Sequence, residues 1–207
     1  MSELLEDDPL SDPVAAPGDT TQRLLDAAVV LFSDKGFEAT RTRDITAKAG
    51  LSPAAMYVHF ASKEDVLFRL VEHAVANTLT IIEAAVAPHD EPAERIRALV
   101  TAFSVLHARS YRRARIAQYE SRHLTPEHHD IVGAIRRRIR LAAAAEVRAG
   151  IERGVFTIAD PRVAVLAMMS LGIDICRWYR PGGEFTPEEL GDINAELVLR
   201  ILRAPGY

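Results

Sequence analysis

The stretch from Thr40 to Lys63, TRTRDITAKAGLSPAAMYVHFASK, decides how the amino-terminal part of this chain folds. It predicts two short helices, over about 42–49 and about 53–59, joined by the segment Ala49-Gly50-Leu51-Ser52. A short connection that contains glycine sets two helices at a steep angle, which is the helix-turn-helix arrangement. In that arrangement the second helix can enter the major groove of DNA. The same pattern occurs in ordinary helical hairpins, so the side chains must separate the two interpretations.

The side chains around this turn suit a DNA surface. Ala54 and Ala55 are small enough to let a helix approach closely, and their methyl groups can meet thymine methyls. Arg43 can reach a guanine edge or a phosphate. Lys63 begins the next helix, where its charge and the helix N-terminus both favour a phosphate. The predicted DNA contacts are Thr40, Thr42, Arg43, Ser52, Pro53, Ala54, Ala55, Tyr57, His59 and Lys63.

Helical periodicity and helix-end signals continue along the rest of the chain. A first helix ends at Gly36, Ser52 caps the third helix, and Ser62 begins a long fourth helix. Met56 and Phe60 are expected to face inward and hold the third helix in place. The fold class is therefore all-α with about nine helices, the later ones at about 92–109, 111–122, 126–154, 161–180 and 187–202, with 155–158 as a weak strand candidate.

Length and composition favour a globular helical protein. The chain has 207 residues, of which 48% are apolar and 6% aromatic. Its single cysteine, Cys176, excludes an internal disulfide framework. No basic segment precedes an apolar stretch near the N-terminus, so no signal peptide is expected. The longest apolar stretch, Val163–Ile173, is shorter than the roughly 20 residues that span a bilayer. We therefore expect a cytoplasmic protein.

The net charge of −4 comes from one end of the chain. Residues 1–19 carry six acidic residues and no basic residue, together with three prolines, and are predicted to form a disordered acidic tail. The remaining residues hold 25 basic and 23 acidic side chains, which is close to balance. Composition alone therefore does not indicate a nucleic-acid partner.

The segment from Arg23 to Phe68 resembles the DNA-binding domain of the TetR family of repressors. The resemblance implies an all-α fold of about nine helices, a homodimer, and release from operator DNA when a ligand binds. It also implies a helix-turn-helix domain over 20–66 and a ligand-binding and dimerisation domain over 67–207. The matching residues are Leu25-x-Ala27-Ala28, Leu31-Phe32, Gly36-Phe37, Thr40, Arg43-Asp44-Ile45, Ala49-Gly50-Leu51-Ser52, Met56-Tyr57-x-His59-Phe60 and Ser62-Lys63-Glu64.

The eighth and ninth predicted helices are the candidates for the dimer interface. The eighth is apolar nearly all round, so it is expected to be buried on more than one side. Two such helices from each subunit would make a four-helix interface. An intrachain core is the alternative. The apolar positions are Val163, Leu166, Ala167, Met169, Leu171, Ile173, Ile175 and Trp178, followed by Leu190, Ile193, Leu197, Val198 and Ile201.

The segment Arg177 to Gly183, RWYRPGG, resembles a TetR subgroup that responds to coenzyme A thioesters and includes steroid-catabolism repressors. This resemblance implies an acyl-CoA inducer, with a hydrophobic drug-like molecule or a free acid as the alternative. Arg177 could meet an anionic ligand, or it could simply pair with Asp174 three residues earlier. The predicted ligand-binding residues are Phe103, His107, Tyr111, Tyr119, Met169, Arg177 and Trp178.

Two clusters of arginine are more ambiguous. Residues 109–115 and 136–140 each contain several arginines, which are usually a solvated surface but could also meet coenzyme A phosphates. The histidines at 123, 128 and 129 lack a regular metal-ligand spacing, so no metal and no cofactor is predicted. No catalytic motif is present, and we expect a regulator rather than an enzyme. A helical enzyme and a scaffold without DNA binding remain as other classes.

Overall fold

The computed structural model describes residues 20–207, and this part of the chain is helical with no strand. The weak strand candidate at 155–158 is not a strand, and the all-α prediction is confirmed. The predicted tail over 1–19 lies outside the described residues. The helices are α1 (Thr20–Lys35), α2 (Thr42–Lys48), α3 (Ala55–His59), α4 (Lys63–Val86), α5 (Pro92–Arg109), α6 (Tyr111–Arg115), α7 (Pro126–Glu152), α8 (Pro161–Trp178) and α9 (Pro187–Ile201).

Several helix ends form as their local sequence predicts. Gly36 follows α1 with a φ of 83°, the left-handed conformation that glycine adopts without a steric penalty. The Ser62 hydroxyl accepts a hydrogen bond from the Asp65 N–H at 3.0 Å, which caps α4. At α9 the Thr186 hydroxyl accepts from the Glu189 N–H, while the Glu189 carboxylate accepts from the Thr186 N–H.

Two predicted helices differ from the structure. The third helix begins at Ala55 rather than near residue 53, and its N-cap is Ala54 rather than the predicted Ser52. The Ser52 carbonyl accepts a hydrogen bond from the Ala55 N–H at 3.0 Å, but no side chain caps the helix. The single helix predicted over 111–122 is instead α6, a π-helical turn over Ile116–Glu120 and a 3-10 turn over Ser121–His123. Periodicity cannot reveal such changes in winding, because they shift the register by only one residue.

The described chain divides into two compact units. The first unit contains residues 20–75 and 112–133, so it continues past the predicted boundary at 66 and includes the connection from α6 to α7. Its core includes Leu24, Phe32 and Ile45, all at most 1% exposed. Met56 and Phe60 are also buried, which confirms that they hold α3 from the inside.

The second unit contains residues 76–111 and 134–207. Its helices α5 and α9 pack closely: a Cβ at Gly191 would lie 2.9 Å from the Thr101 methyl group. Beside this contact the buried Asn194 amide donates to the Ser104 hydroxyl at 3.1 Å. No helix within residues 20–207 is long and apolar enough to cross a membrane.

Candidate nucleic-acid interface and ligand site

The start of α3 and the turn before it form an exposed surface of small residues. Ser52, Pro53 and Ala54 are all exposed, and nothing in the first unit covers them. Tyr57 follows one turn later with 61% of its surface exposed. A surface of this shape can approach a base-pair edge closely, because its first turn carries no bulky side chain.

Val58 is a member of this surface that the sequence analysis did not single out. At 79% exposure it is the most exposed of the large apolar residues in the described chain. It lies four residues after Ala54, so the two share one face of the helix. The signal that could have found it is this spacing, together with the inward positions of Met56 and Phe60.

The turn between α2 and α3 is held from α1. The Arg23 guanidinium donates to the Ala49 carbonyl at 2.5 Å and lies 3.4 Å from the Gly50 carbonyl. Gly50 has a φ of 66°, and a Cβ there would come within 3.2 Å of the same guanidinium. At the other end of α3, Thr21 Oγ1 and His59 Nδ1 are 3.0 Å apart. The predicted contact His59 is exposed, but it also anchors α3 to α1.

At the start of α2 the negative charge of Asp44 is paired, and the positive charge of Arg43 is exposed to solvent. The Asp44 carboxylate accepts from the Arg41 N–H and from Lys35 Nζ, each at 3.1 Å. The backbone hydrogen bond first, and Lys35 second, lower the pKa of Asp44. Arg43 is exposed beside this neutralised carboxylate, as a phosphate or base contact requires, whereas Thr42 is half-buried.

Two predicted DNA contacts have a different role in the structure. Thr40 is fully buried, and its hydroxyl lies 2.8 Å from the Gly36 carbonyl and 3.3 Å from the Leu31 carbonyl. It therefore offers DNA no accessible donor, so the structure contradicts the predicted phosphate contact of Thr40. Lys63 Nζ donates to the Phe37 and Thr40 carbonyls at 2.7 and 2.8 Å. Two of its three donors are thus used within the unit, which makes it chiefly a structural residue.

The loop after α1 is also held by the segment that connects α6 to α7. The Glu120 carboxylate accepts from the Phe37 N–H at 3.2 Å, and the His123 ring stacks on the Phe37 ring at 5.1 Å. Lys63 Nζ lies 4.1 Å from the centroid of the same ring. A shift of residues 120–123 would therefore disturb the loop that supports α2. The sequence does not reveal this role of Glu120, because its partner lies 83 positions earlier in the chain.

A second contact of the same kind involves Glu64 on α4. Its carboxylate accepts from the Thr125 N–H at 2.9 Å and lies 2.9 Å from His128 Nδ1. The His128 ring stacks on Phe68 at 3.8 Å. Two of the three histidines that were considered as metal ligands, His123 and His128, therefore have partners within the first unit. Residues 20–207 hold no cluster of His, Cys, Asp and Glu that could bind a metal ion.

The predicted ligand residues do not all come together. Phe103 and His107 are adjacent, with ring centroids 4.2 Å apart, and His107 Nδ1 lies 2.8 Å from the Phe103 carbonyl. Burial lowers the pKa of His107 to about 4, which keeps the ring neutral. Tyr111 packs edge-on against Tyr179, at 6.0 Å between centroids. Tyr119 belongs to the first unit, whereas the other six predicted residues belong to the second.

The three predicted ligand residues on α8 differ in exposure. Met169 is buried, but Trp178 is 44% exposed. The Arg177 guanidinium donates two hydrogen bonds to the Asp174 carboxylate at 2.7 and 2.9 Å, and this pairing lowers the pKa of Asp174. The predicted ion pair therefore forms on an exposed face, where such pairs contribute roughly 1 kcal/mol or less. An anionic ligand could compete for Arg177.

The arginine cluster over 109–115 is only partly a solvated surface. Arg113 is buried and pairs with Asp26 at 3.2 Å, so it is a core residue of the first unit. Arg109 is exposed and pairs with Glu188 at 2.5 Å, within the second unit. These partners argue against this cluster as a phosphate site.

Exposed apolar side chains run along α8 and α9. On α8, Val163 and Leu166 are 54% and 68% exposed, although the helix buries its opposite face. On α9, Ile193, Leu197 and Ile201 recur every four residues and are each at least 36% exposed. Large apolar residues in adjacent exposed rows are typical of a surface that another molecule covers.

Two family models match the chain in succession. The amino-terminal part matches the bacterial regulatory proteins of the tetR family over residues 24–70. The carboxy-terminal part matches the tetracyclin repressor-like C-terminal domain over residues 89–202, which is more than half of the chain. Both descriptions are of regulators and neither is of an enzyme, so the expectation of a regulator is confirmed.

Relatives and solved structures extend this likeness to nearly the whole chain. The HTH-type transcriptional repressor KstR2 of Rhodococcus jostii RHA1 is 27% identical over 95% of this chain and 98% of its own. The structure of the ketosteroid transcriptional regulator KstR2 of Mycobacterium tuberculosis is 26% identical over 89% of this chain and 95% of that chain, with a TM-score of 0.82. A structure of AibR with isovaleryl coenzyme A and operator DNA shares the fold, with a TM-score of 0.79 at 22% identity over 90% of this chain and all of that one.

Proposed function

The chain belongs to the TetR family of bacterial regulatory proteins, and on that premise we propose that it is a transcriptional repressor released from its operator by an acyl-CoA thioester. Two protomers hold operator DNA through α3, and the effector binds in the second unit. A repressor of this kind acts on chromosomal DNA, so it works in the cytoplasm.

The observation that carries the DNA-binding part is the exposed surface of α3. Ala54, Tyr57 and Val58 face solvent, while Met56 on the opposite side of the same short helix is fully buried. A five-residue helix has little stability of its own, so packing must hold it in place. The result is a rigid short rod with an open face, which fits the requirement for insertion into a major groove.

The exposed rows on α8 and α9 support a dimer. Val163, Ile193, Leu197 and Ile201 would be covered when the same surface of a second copy packs against them. A two-fold dimer presents α3 twice, and operator half-sites are expected about 34–36 Å apart, one turn of DNA. Loss of the dimer would therefore remove specific binding as well.

The effector class rests on three observations. The segment 177–183 resembles that of thioester-responsive regulators, the relative KstR2 is a ketosteroid regulator, and the AibR structure holds isovaleryl coenzyme A. In this chain the Arg177 guanidinium is exposed, and its pairing with Asp174 is an exposed one that an anion can displace. A free acid or a drug-like molecule is the alternative, and it would need fewer positive groups.

Fluorescence anisotropy with DNA from upstream of the protein's own gene tests the DNA-binding part. We expect a specific complex that weakens steeply as salt rises, because phosphate contacts release counterions. Tyr57→Ala should weaken it by about tenfold, whereas Tyr119→Ala, measured without effector, should not. If the wild-type protein forms no salt-sensitive specific complex, or if Tyr57→Ala changes nothing, a helical scaffold without DNA binding is the better description.

Titration of the operator complex tests the effector part. Octanoyl-CoA, sodium octanoate and coenzyme A are added side by side to the wild type and to Arg177→Met. The thioester should release wild-type protein at the lowest concentration, and Arg177→Met should need more thioester while its operator affinity is unchanged. Equal release of both proteins would reject a role for Arg177, and release by octanoate alone would favour a free-acid effector.

A further inference from the structure

A groove between α7 and α8 lies within the second unit and has a volume of about 570 Å³. Volumes in this range are typical of small-molecule sites. Residues 137, 140, 141, 144 and 148 line it from one face of α7, and residues 162, 165, 166 and 169 line it from the facing side of α8. Of the predicted ligand residues only Met169 contributes to it.

The inner lining of the groove is apolar although it is open to solvent. Met169 lies at its base and is buried, while Leu141 and Leu166 on opposite sides are 59% and 68% exposed. Covering two leucines of this exposure would remove a large apolar area from water, at about 25 cal/mol for each Å². An apolar group of the ligand is the occupant that this part of the groove favours.

The rim of the groove carries positive charge that has no partner in the unit. Arg137, Arg140 and Arg148 are exposed, and within residues 20–207 their guanidinium groups make no hydrogen bond or ion pair. The fourth arginine of the rim, Arg162, is different because the Asp160 carboxylate holds it at 2.8 Å. Three unmatched charges therefore line one side of an apolar groove.

These charges also repel their neighbours. Burial first, and the proximity of Arg140 second, lower the pKa of Arg136 on the same helix. Arginine guanidinium groups with this arrangement bind phosphate oxygens well, because each can donate two parallel hydrogen bonds. The helix rises about 16 Å from Arg137 to Arg148, so a single carboxylate could not contact both arginines.

We propose that this groove binds the proposed acyl-CoA effector, with the acyl group against Leu141, Leu166 and Met169 and the coenzyme A phosphates along Arg137, Arg140 and Arg148. The proposal rests on the thioester effector of the proposed function and adds a site whose lining does not include Arg177, so the Arg177→Met titration and the groove variants test separate contacts. Coenzyme A carries phosphates at two places along an extended molecule, which suits charges spread along a helix. A nucleic acid would meet the arginines but has no apolar body to cover the leucines.

Isothermal titration calorimetry on the full chain tests the polar half of the groove. The ligands are octanoyl-CoA, coenzyme A and sodium octanoate, and the proteins are the wild type, R137Q/R140Q and R138Q. Arg138 is an exposed arginine of the same helix that does not line the groove, so it is the matched control. We expect octanoyl-CoA to bind R137Q/R140Q at least tenfold more weakly than the wild type, and R138Q within twofold of it.

A second variant, Leu141→Glu, tests the apolar half. A carboxylate in the groove should lower octanoyl-CoA affinity at least tenfold, while the mass in solution stays that of the wild-type dimer and operator binding without effector is unchanged. Melting temperatures and circular dichroism establish that both variants are folded. Octanoate should bind the wild type more weakly than the thioester does.

Each contrary result has a distinct meaning. Equal octanoyl-CoA affinity in the wild type and R137Q/R140Q overturns the groove as the phosphate site, but it leaves a thioester-responsive repressor intact. Equal affinity for coenzyme A and octanoyl-CoA overturns the apolar half. Monomeric Leu141→Glu protein would show that the groove contacts the second protomer instead. A wild-type protein that binds neither coenzyme A nor octanoyl-CoA overturns the groove and the proposed effector together.

Discussion

The surface proposed to meet DNA and the groove proposed to hold the effector are assembled from the chain in different ways. In the first unit the exposed residues that we propose to face DNA fall between Thr42 and His59, a single run of chain. In the second unit the groove takes its lining from residues 137–148 and 160–169, on two helices. The first surface has a local sequence signature, whereas the second exists only where two helices face each other.

The two surfaces also differ in how their charges are held. Around α3 the polar side chains that support the helix are matched: Arg23, Lys63 and Glu120 each bond to a backbone group of a supporting loop. Around the groove, Arg137 and Arg148 have no such partner among the described residues. Matched groups stabilise a fixed shape, while unmatched groups keep their binding capacity for a ligand. The predictions below test this contrast, from the largest expected effect to the smallest.

A charge placed on the exposed face of α3 should have the largest effect. Ala54→Glu puts a carboxylate against DNA phosphates, so we expect operator affinity to fall at least about 100-fold, or about 2.8 kcal/mol. Fluorescence anisotropy measures it. Ala84→Glu, on the exposed face of α4 in the second unit, is the matched control and should stay within threefold of the wild type. Similar losses in both variants would mean that α3 has no special place in DNA binding.

The pH dependence of stability should come from His107 in the second unit. Its folded pKa of about 4 lies below the ordinary value of 6.5, so the unfolded chain binds more protons between these values. Stability is therefore fully present above about pH 6.5 and falls as pH drops toward 4, by at most about 3 kcal/mol. Urea unfolding at several pH values measures it.

The control for this prediction comes from the first unit. His107→Leu should flatten the decline between pH 6.5 and 4, whereas His129→Gln, at an exposed position, should leave the curve parallel to that of the wild type. If the stability of His107→Leu declines as steeply as that of the wild type, the neutral ring of His107 is not the source of the pH dependence.

Replacing Gly172 and Gly133 by alanine should change the stability of the protein in opposite directions. A Cβ at Gly172 on α8 would collide with the Phe103 ring, so Gly172→Ala should cost about 1–3 kcal/mol through overpacking. At Gly133 on α7 a Cβ would meet no heavy atom within 4 Å, and Gly133→Ala should stabilise the protein by about 0.5–1 kcal/mol. Melting temperatures should move by about 2–4 °C for each kcal/mol. Two shifts of the same sign would contradict the packing described for α5 and α8.

An effect smaller than that of Gly172→Ala is expected at Lys63. Replacement by methionine removes the donor to the Phe37 and Thr40 carbonyls, and we expect a loss of about 1–2 kcal/mol in the free energy of unfolding. The exposed Lys48→Met is the control and should change stability by less than about 0.5 kcal/mol. Chemical denaturation compares them. An unchanged stability for Lys63→Met would return Lys63 to the role of a phosphate contact.

Particular residues show where sequence interpretation succeeded and where it did not. Met56 and Phe60 were assigned inward from their spacing, and both are buried, because a short amphipathic helix has only one way to hide two large apolar groups. Thr40 was assigned outward because threonine is a common phosphate donor, yet its hydroxyl bonds to the Leu31 and Gly36 carbonyls at the end of α1. Residue type does not distinguish these two uses.

The fold class and the helix-turn-helix could be predicted from the sequence, because helix periodicity, caps and turn glycines act over a few neighbouring positions, and the motif residues of this segment carried the resemblance to the family. Tertiary packing was needed to show that Glu120 supports the loop at Phe37 and that arginines of α7 face Leu166 across a groove. The physical reason is that a periodic pattern specifies which face of a helix is apolar or charged. Which distant segment that face meets depends on how all the helices pack together.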